Sequence, residues 1–288
     1  MSTQITTAFV KQFSANVDFL VQQKGSKLRD AVRVETGVRG EEAYFDAVGA
    51  VAAVKRTSRH ADTPLIETPH SRRKVILYDY EWADLIDDPD KIKTLIDPEN
   101  AYAQNAAWAM GRAIDDAIIE AATGTAYSGK DGSTSVSLPS GQIVSSNSEG
   151  LTLAKLLEAK YILDSNDVDP DEPRYCALTA YQLKELLNTT EVKSADYNTI
   201  RALVAGQVDT FLGFKFIITN RLGTNASGER KVLCWAKNGL LLAIGQDIKS
   251  RISERADKSY ATQVYYAMSI GATRMEEKKV VEIDCVES

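Results

Sequence analysis

The sequence is poor in the residues that most often carry chemistry or crosslink a fold. Its 288 residues include only two histidines and three cysteines. Three scattered cysteines do not make the even, closely spaced set of a disulfide framework. We therefore expect Cys176, Cys234 and Cys285 to be buried free thiols, the common state of cysteine in a reducing compartment.

The sequence also lacks the features of a membrane-bound, secreted or strongly basic protein. Its longest apolar runs, such as residues 239–245, are too short to cross a bilayer. The N-terminus has no basic region followed by an apolar one, so no secretion signal is expected. The net charge is −6, whereas a protein that grips DNA tightly shows a concentrated basic face. An acidic protein can still line a container for DNA, because repulsion keeps the DNA from adhering to the wall.

No motif of nucleotide chemistry is complete. Residues 124–131 (GTAYSGKD) match the phosphate-binding pattern G-x-x-x-x-G-K, but Asp131 stands where a serine or threonine should bind magnesium. The match also follows a predicted helix, whereas a phosphate-binding loop follows a strand and opens a helix. Neither a nucleophile elbow, nor a dinucleotide fingerprint, nor a paired-cysteine metal motif occurs.

The remaining acid–base and metal candidates are weak. His60 and His70 lie in a polar stretch with Asp62, and neither has the i, i+4 partner of a helical zinc site. A short acidic group consists of Asp84, Asp87, Asp88 and Asp90. It lacks the glycine and the terminal glutamate of a calcium-binding loop. We therefore predict no catalytic residue, no cofactor, no metal site and no enzymatic activity.

Two segments before residue 80 predict an arm and a loop. Residues 3–23 place apolar side chains three and four apart, which indicates an amphipathic helix that either packs on a partner or covers its own subunit. Residues 31–78 hold a long polar excursion, 57–70, ahead of a β-prone run at 72–80. Because loops this long are uncommon inside a compact domain, we expect a protruding hairpin with a binding role.

Charge is divided into neighbouring blocks of opposite sign. Residues 55–74 hold six basic and two acidic side chains, a net charge of +4, and residues 79–99 hold two basic and eight acidic ones, a net charge of −6. The blocks could pair within one chain, or between copies and so set the register of an assembly. They could also be solvated faces without a partner.

Residues 97–123 give the clearest element. Asp97 is a suitable N-cap, Pro98 suits the first helical position, and Gly124 is a natural stop. The predicted apolar stripe is Ala103, Ala107, Met110, Ile114, Ile118 and Ala121. A helix of this length spans roughly 39 Å, which is most of the width of a chain with a radius of gyration near 19 Å.

The second half reads as a compact α/β region after a Gly/Ser/Thr-rich hairpin or loop at 124–150. Thr152 and Thr179 are predicted to cap helices, and residues 174–178 to form a buried strand. A third helix is expected around 200–206, and further strands at 208–211, 214–219 and 231–235. The tail, 248–288, is expected to complete a sheet with residues 72–80.

In this order the segments resemble the major capsid proteins of tailed bacteriophages. The resemblance is carried by the loop return at 72–87 (RRKVILYDYEWADLID), the helix at 100–119 (NAYAQNAAWAMGRAIDDAII) and the stretch at 199–221 (TIRALVAGQVDTFLGFKFIITNR). It implies an α+β fold of the Hong Kong 97 type. The implied parts are an N-terminal arm at 1–30, an extended loop at 31–78, a peripheral domain with a spine helix at 79–150, an axial domain at 151–235, and return strands at 236–288.

The resemblance also implies a function and partners. The chain would self-assemble through pentamers and hexamers into an icosahedral head, in the virion, after assembly in the host cytoplasm. Its partners would be a portal protein and packaged double-stranded DNA held loosely. Because the spine helix starts too early for a long scaffolding extension, a separate scaffolding protein, or none, would be needed, and a decoration protein is a further option. Lys55 lies in the loop, yet no matching asparagine is identified, so crosslinking is not predicted. The alternatives are an encapsulin-like compartment, another phage structural protein, and an unrecognised cytoplasmic α/β enzyme.

Overall fold

The computed structural model describes residues 22–60, 62, 63, 65–87, 98–188 and 210–287. The predicted arm helix at 3–23 lies almost wholly outside these residues. The Asp97 cap, the helix around 200–206, Asp88 and Asp90 lie outside them as well.

A long helix, α1 (Pro98–Thr123), runs through the described part of the chain as the sequence predicts. Its buried face is apolar, with Met110, Ile114 and Ile118 each at most 3% exposed. The small residues of the stripe are predicted less well, because Ala106 and Ala122 are fully buried while Ala103, Ala107 and Ala121 are only half-buried. The helix ends at Gly124, whose N–H donates to the Glu120 carbonyl.

The helix packs on a four-stranded sheet with the strand order β1–β12–β13–β4. These strands are β1 (Arg33–Thr36), β4 (Tyr78–Ile86), β12 (Leu240–Arg255) and β13 (Ala261–Arg274). β1 runs parallel to β12, whereas the other two pairings are antiparallel. The predicted pairing of the tail with the segment near residue 80 is confirmed, because β13 pairs with β4.

A hairpin leaves this sheet and is the root of the predicted extended loop. β2 (Glu42–Val48) pairs antiparallel with β3 (His70–Ile76). On its other edge β3 pairs antiparallel with β5 (Ala126–Ser128), which forms a second small hairpin with β6 (Thr134–Val136). The loop was expected from residue 31, but residues 33–36 belong to the four-stranded sheet, because Val34 packs on the core beneath α1.

A six-stranded sheet with two helices forms the rest of the described chain. Its strand order is β7–β14–β11–β8–β10–β9. The strands are β7 (Ile143–Val144), β8 (Arg174–Leu178), β9 (Thr210–Phe211), β10 (Phe214–Ile218), β11 (Arg230–Ala236) and β14 (Val280–Cys285). The helices are α2 (Leu153–Ser165) and α3 (Ala180–Asn188).

Both predicted caps stand at helix starts. The Thr152 hydroxyl accepts a hydrogen bond from the Lys155 backbone N–H at 3.4 Å. At α3 the cap residue Thr179 donates instead of accepting. Its backbone N–H and its hydroxyl both donate to the Gln182 side-chain oxygen. This is the N3 half of a capping box.

One expectation for the tail is wrong. Residues 280–285 were expected in the sheet shared with residues 72–80, but β14 pairs with β11 and β7 in the six-stranded sheet. The reason is packing: Val281, Ile283 and Cys285 close the core under α2. The expectation for cysteine is confirmed, because all three thiols are free and buried. Burial raises the pKa of the Cys285 thiol to about 12.

Candidate assembly surfaces

Three ion pairs stiffen the root of the hairpin. Arg73, nearly buried on β3, donates to both carboxylate oxygens of Glu277 at 2.6 and 2.7 Å and to the Met275 carbonyl at 3.1 Å. Arg72 pairs with Asp46 at 2.6 Å across the strands, and Lys74 pairs with Glu42. Half of the cations in the basic block are thus neutralised within the chain, by partners outside the acidic block of residues 79–99.

These pairs also set the titration of the exposed carboxylates. The Arg72 guanidinium lowers the pKa of Asp46, and the Lys74 ammonium lowers the pKa of Glu42. Both carboxylates are therefore charged at neutral pH and hold the two strands in register on the solvent side.

Arg274 joins the root of the hairpin to the end of α1. Its fully buried guanidinium donates to the carbonyls of Ala122 at 3.0 Å, Gly124 at 2.9 Å and Val136 at 2.9 Å. It therefore satisfies the last carbonyls of the helix and ties β6 to them. Burial lowers the pKa of this guanidinium, while nearby Glu277 opposes that effect.

Beyond its root the hairpin shows apolar side chains to solvent. The exposed fractions are 65% for Val48, 53% for Val51, 61% for Val54, 98% for Leu65 and 45% for Ile66. We call residues 49–60, 62, 63 and 65–69 the loop tip. The basic residues of the loop tip, Lys55, Arg56 and Arg59, are exposed as well. An apolar group this concentrated on a protrusion marks an interaction surface.

An acidic strand and an aromatic cleft lie on the body. Asp79 and Glu81 are on the exposed face of β4, since alternate residues Tyr80 and Trp82 pack toward the core beneath α1. A cleft of about 560 Å³ opens beside the strand, and its lining includes Tyr78, Tyr80, Tyr127, Glu120 and Gly271. Burial and, next, the Glu120 charge raise the pKa of Tyr80, so its hydroxyl stays protonated.

The described residues among those first considered for catalysis or metal binding are spread over several elements. His60 is in the loop tip, His70 begins β3, and Asp84 caps the Leu85 N–H on β4. Residues 124–131 run from the end of α1 through β5 into the turn of a hairpin, which is not the strand-to-helix turn of a phosphate-binding loop. Among the residues described, no group of three or more His, Cys, Asp or Glu side chains could hold a metal ion.

Two important side chains were missed from the sequence. Asp115 on α1 and Arg274 on β13 are both fully buried. The available signal for Asp115 was its place next to Ile114 in the apolar face of the helix. For Arg274 the signal was a cation at the end of a long apolar strand.

Within the described part of the chain, no helix has both the length and the apolar character needed to cross a membrane.

The described residues form a long helix on one sheet, a second compact sheet and a hairpin with an exposed apolar tip. The class is that of shell-forming structural proteins. The chain belongs to the family described as phage capsid protein, whose model matches residues 5–287. It is a structural major capsid protein that forms the phage head. No curated protein sequence matches the chain.

Solved structures show the same fold at low sequence identity. The capsid of cyanophage P-SCSP1u is 19% identical with a TM-score of 0.75, and the match covers 98% of this chain and 94% of that one. The capsid of Ralstonia phage GP4 is 10% identical with a TM-score of 0.76, covering 97% and 95%. The capsid of cyanophage Pam1 is 14% identical with a TM-score of 0.69, covering 97% of each. The fold is therefore the α+β fold of Hong Kong 97-like capsid proteins.

Proposed function

We propose that copies of this chain assemble as pentamers and hexamers into an icosahedral head around the double-stranded DNA of a tailed phage. The observation that carries this proposal is the loop tip, where Leu65 is 98% exposed and three other large apolar residues, Val51, Val54 and Ile66, are exposed as well. A soluble monomer gains nothing from such a protrusion, whereas a neighbouring subunit can bury it. The role is structural, and the proposal includes no catalytic step.

The head is expected in the virion after assembly in the host cytoplasm, with a portal protein and a separate scaffolding or decoration protein as partners. With a net charge of −6, the wall should repel the DNA phosphates, so that the DNA is held loosely. The division into arm, extended loop, peripheral domain, axial domain and return strands is proposed with the boundaries given by the sequence. One change is that residues 33–36 belong with the peripheral sheet.

The experiment is expression of the chain, followed by gel filtration and negative-stain electron microscopy of wild type and Leu65→Asp. Wild type should form closed shells, or capsomers that convert to them. Leu65→Asp should accumulate as folded small species, because burying a carboxylate in the interface is costly. The matched control, Leu65→Ile, keeps the apolar surface and should assemble. A wild-type chain that stays a monomer at every concentration and salt would contradict the proposal.

The ion pairs within the chain support a proposal about which charges pair between copies. Arg72, Arg73 and Lys74 are paired at the root, so the loop tip supplies Lys55, Arg56 and Arg59. We propose that these cations meet the acidic outer face of β4 on the next copy, which carries Asp79 and Glu81. Opposite charges would then set the register of neighbours, each pair weak but repeated in every contact.

Charge reversal tests this pairing. The double variant Arg56→Glu, Arg59→Glu should assemble poorly, and adding Asp79→Arg with Glu81→Arg should restore part of the assembly. Each pair of reversals alone serves as the control for the combination. If the four-fold variant assembles no better than the two double variants, the loop tip has another partner surface.

A further inference from the structure

The structure assigns to one turn of α1, made by Gly111, Arg112 and Asp115, the role of a clamp that binds residues 22–28 and fixes the root of the N-terminal arm. We call these three residues the arm clamp.

Asp115 provides the central contact. Its fully buried carboxylate accepts hydrogen bonds from the Ser26 hydroxyl at 2.5 Å, from the Lys27 N–H at 3.1 Å and from the Leu28 N–H at 3.0 Å. The Gln23 side-chain amide donates to the same carboxylate at 2.5 Å. Hydrogen bonds to an ionised carboxylate are about twice as strong as neutral ones. The Asp115 carboxylate therefore binds both backbone N–H groups and polar side chains of residues 23–28.

Gly111 and Arg112 complete the clamp one turn earlier on the same helix. A Cβ at Gly111 would lie only 2.5 Å from the carbonyl carbon of Gly25, so only glycine lets the segment lie against the helix. Arg112 donates to the Gln22 side-chain oxygen at 2.9 Å and to the Gln23 carbonyl at 3.1 Å. The clamp thus holds the segment from its first described residue onward.

The segment is held beyond the clamp as well. Leu28 is fully buried in the core beneath α1, and the Trp235 indole donates to the Ala31 carbonyl at 2.9 Å. The Lys27 ammonium donates to the Ile218 carbonyl at 2.7 Å, which ties the segment to the six-stranded sheet. Residues 22–28 therefore behave as a peptide docked between the spine helix and that sheet, and the chain before residue 22 starts from a fixed point.

A consequence for assembly rests on the proposed function. If arms contact neighbouring copies, the clamp determines where each arm leaves its own subunit. Loosening the clamp should then lower the yield of closed shells without unfolding the subunit. The docking of residues 22–28 itself can be tested on unassembled subunits and does not depend on that function.

The test is limited trypsin digestion of unassembled subunits, with mass spectrometry of the cuts after Lys24 and Lys27. Wild type should resist cleavage at both bonds, because trypsin needs an undocked, extended chain. Trypsin should cleave Asp115→Asn at these two bonds at least about ten-fold faster than wild type, because the asparagine amide presents N–H groups to the N–H donors of the segment. Gly111→Ala should do the same through steric exclusion, and Ser26→Ala to a smaller degree. Glu120→Gln, an equal charge change on the exposed face of the same helix, is the control.

Thermal unfolding separates a local clamp from a general loss of stability. The proposal requires that the two bonds open in Asp115→Asn and Ser26→Ala while the other tryptic sites keep their wild-type rates. It is overturned if cleavage at Lys24 and Lys27 stays at the wild-type rate in both variants. It is equally overturned if all sites open together with the loss of the folded state. Normal shell formation by a variant in which both bonds open would count against the arm's part in assembly, and not against the clamp.

Discussion

The six-stranded sheet and the loop tip use apolar residues in opposite ways. Leu156 on α2 is fully buried in a core closed by strands on one side and helices on the other, whereas Leu65 in the loop tip is almost fully exposed. The same side chain therefore stabilises the subunit at one place and leaves a surface to be buried at the other. Under the proposed function, the chain divides its apolar area between folding and assembly, so substitutions at the two places should separate the two processes.

The largest effect is expected from a matched pair of leucine truncations. Leu156→Ala should lower the free energy of unfolding by about 3–5 kcal/mol, because it leaves a cavity in a closed core. Leu65→Ala should leave the free energy of unfolding of the unassembled subunit equal to that of wild type within experimental error, because the Leu65 side chain is exposed and not packed in a core. Chemical denaturation of both variants checks the pair. Equal losses would mean that the loop tip packs on its own subunit.

Arg274→Ala should give the next largest loss, about 3 kcal/mol, because it removes the partner of three carbonyls, one of them in a buried hydrogen bond, and leaves Glu277 with one cation fewer. Arg255→Ala is the control, an arginine on the exposed part of β12 that pairs only with Asp257 and Gln263 in the described structure. Hydrogen exchange at the end of α1 should accelerate in Arg274→Ala and not in the control. Unchanged protection there would show that the helix ends without this arginine.

Thr152→Ala should cost about 1 kcal/mol, the usual contribution of an N-cap hydroxyl. The Thr152→Ser variant keeps the hydroxyl and should stay near wild type. The loss should appear in denaturation of the subunit and leave shell formation unchanged, because the cap serves the folded core. A defect in assembly larger than the defect in stability would place the start of α2 at an interface.

The smallest effect is a dependence of stability on pH at β14. Burial raises the pKa of Glu282 although Lys231 lies 3.0 Å away, so the folded state binds a proton more tightly than the unfolded chain does. Stability from this group therefore rises as pH falls from neutral toward the unfolded pKa near 4.5. Relative to Glu282→Gln, wild type should gain stability over that range, as measured by urea titrations at several pH values.

Glu287 provides the opposite sign. Its pKa is lowered by Arg230, so its contribution is present above the unfolded pKa and is lost as pH falls through the lower folded value. Relative to Glu287→Gln, wild type should lose stability below about pH 4.5. If both glutamates shift stability in the same direction, the burial of Glu282 is not what sets its titration.

The sequence predicts the elements better than their partners. α1 and the strand at residues 174–178 follow from local periodicity, since a 3.6-residue stripe and a short β-prone run are properties of a segment alone. The pairing of β14 with β11 could not be read in this way, because alternation shows that a strand has a buried face and not which strand lies beside it. The same limit hid the ion pair of Arg72 with Asp46, which lies 26 residues away on the neighbouring strand β2.

Only part of the proposed assembly surface could be predicted from the sequence. The long polar excursion at residues 57–70 predicts a protrusion, whereas the opposite charge blocks left open pairing within the chain, pairing between copies, or no partner. Only the structure shows that Arg72, Arg73 and Lys74 are already paired at the root. The clamp could not be predicted, because an aspartate in the apolar face of a helix signals a buried carboxylate and does not show which segment it binds.

Hydrogen–deuterium exchange of the loop tip, compared between unassembled subunits and purified shells, tests the division between folding and assembly most directly. Peptides that cover residues 50–60 should exchange rapidly in the subunit and become protected in the shell, while peptides of α2 stay protected in both. Rapid exchange of the loop tip in intact shells, or full protection in the lone subunit, would contradict the account.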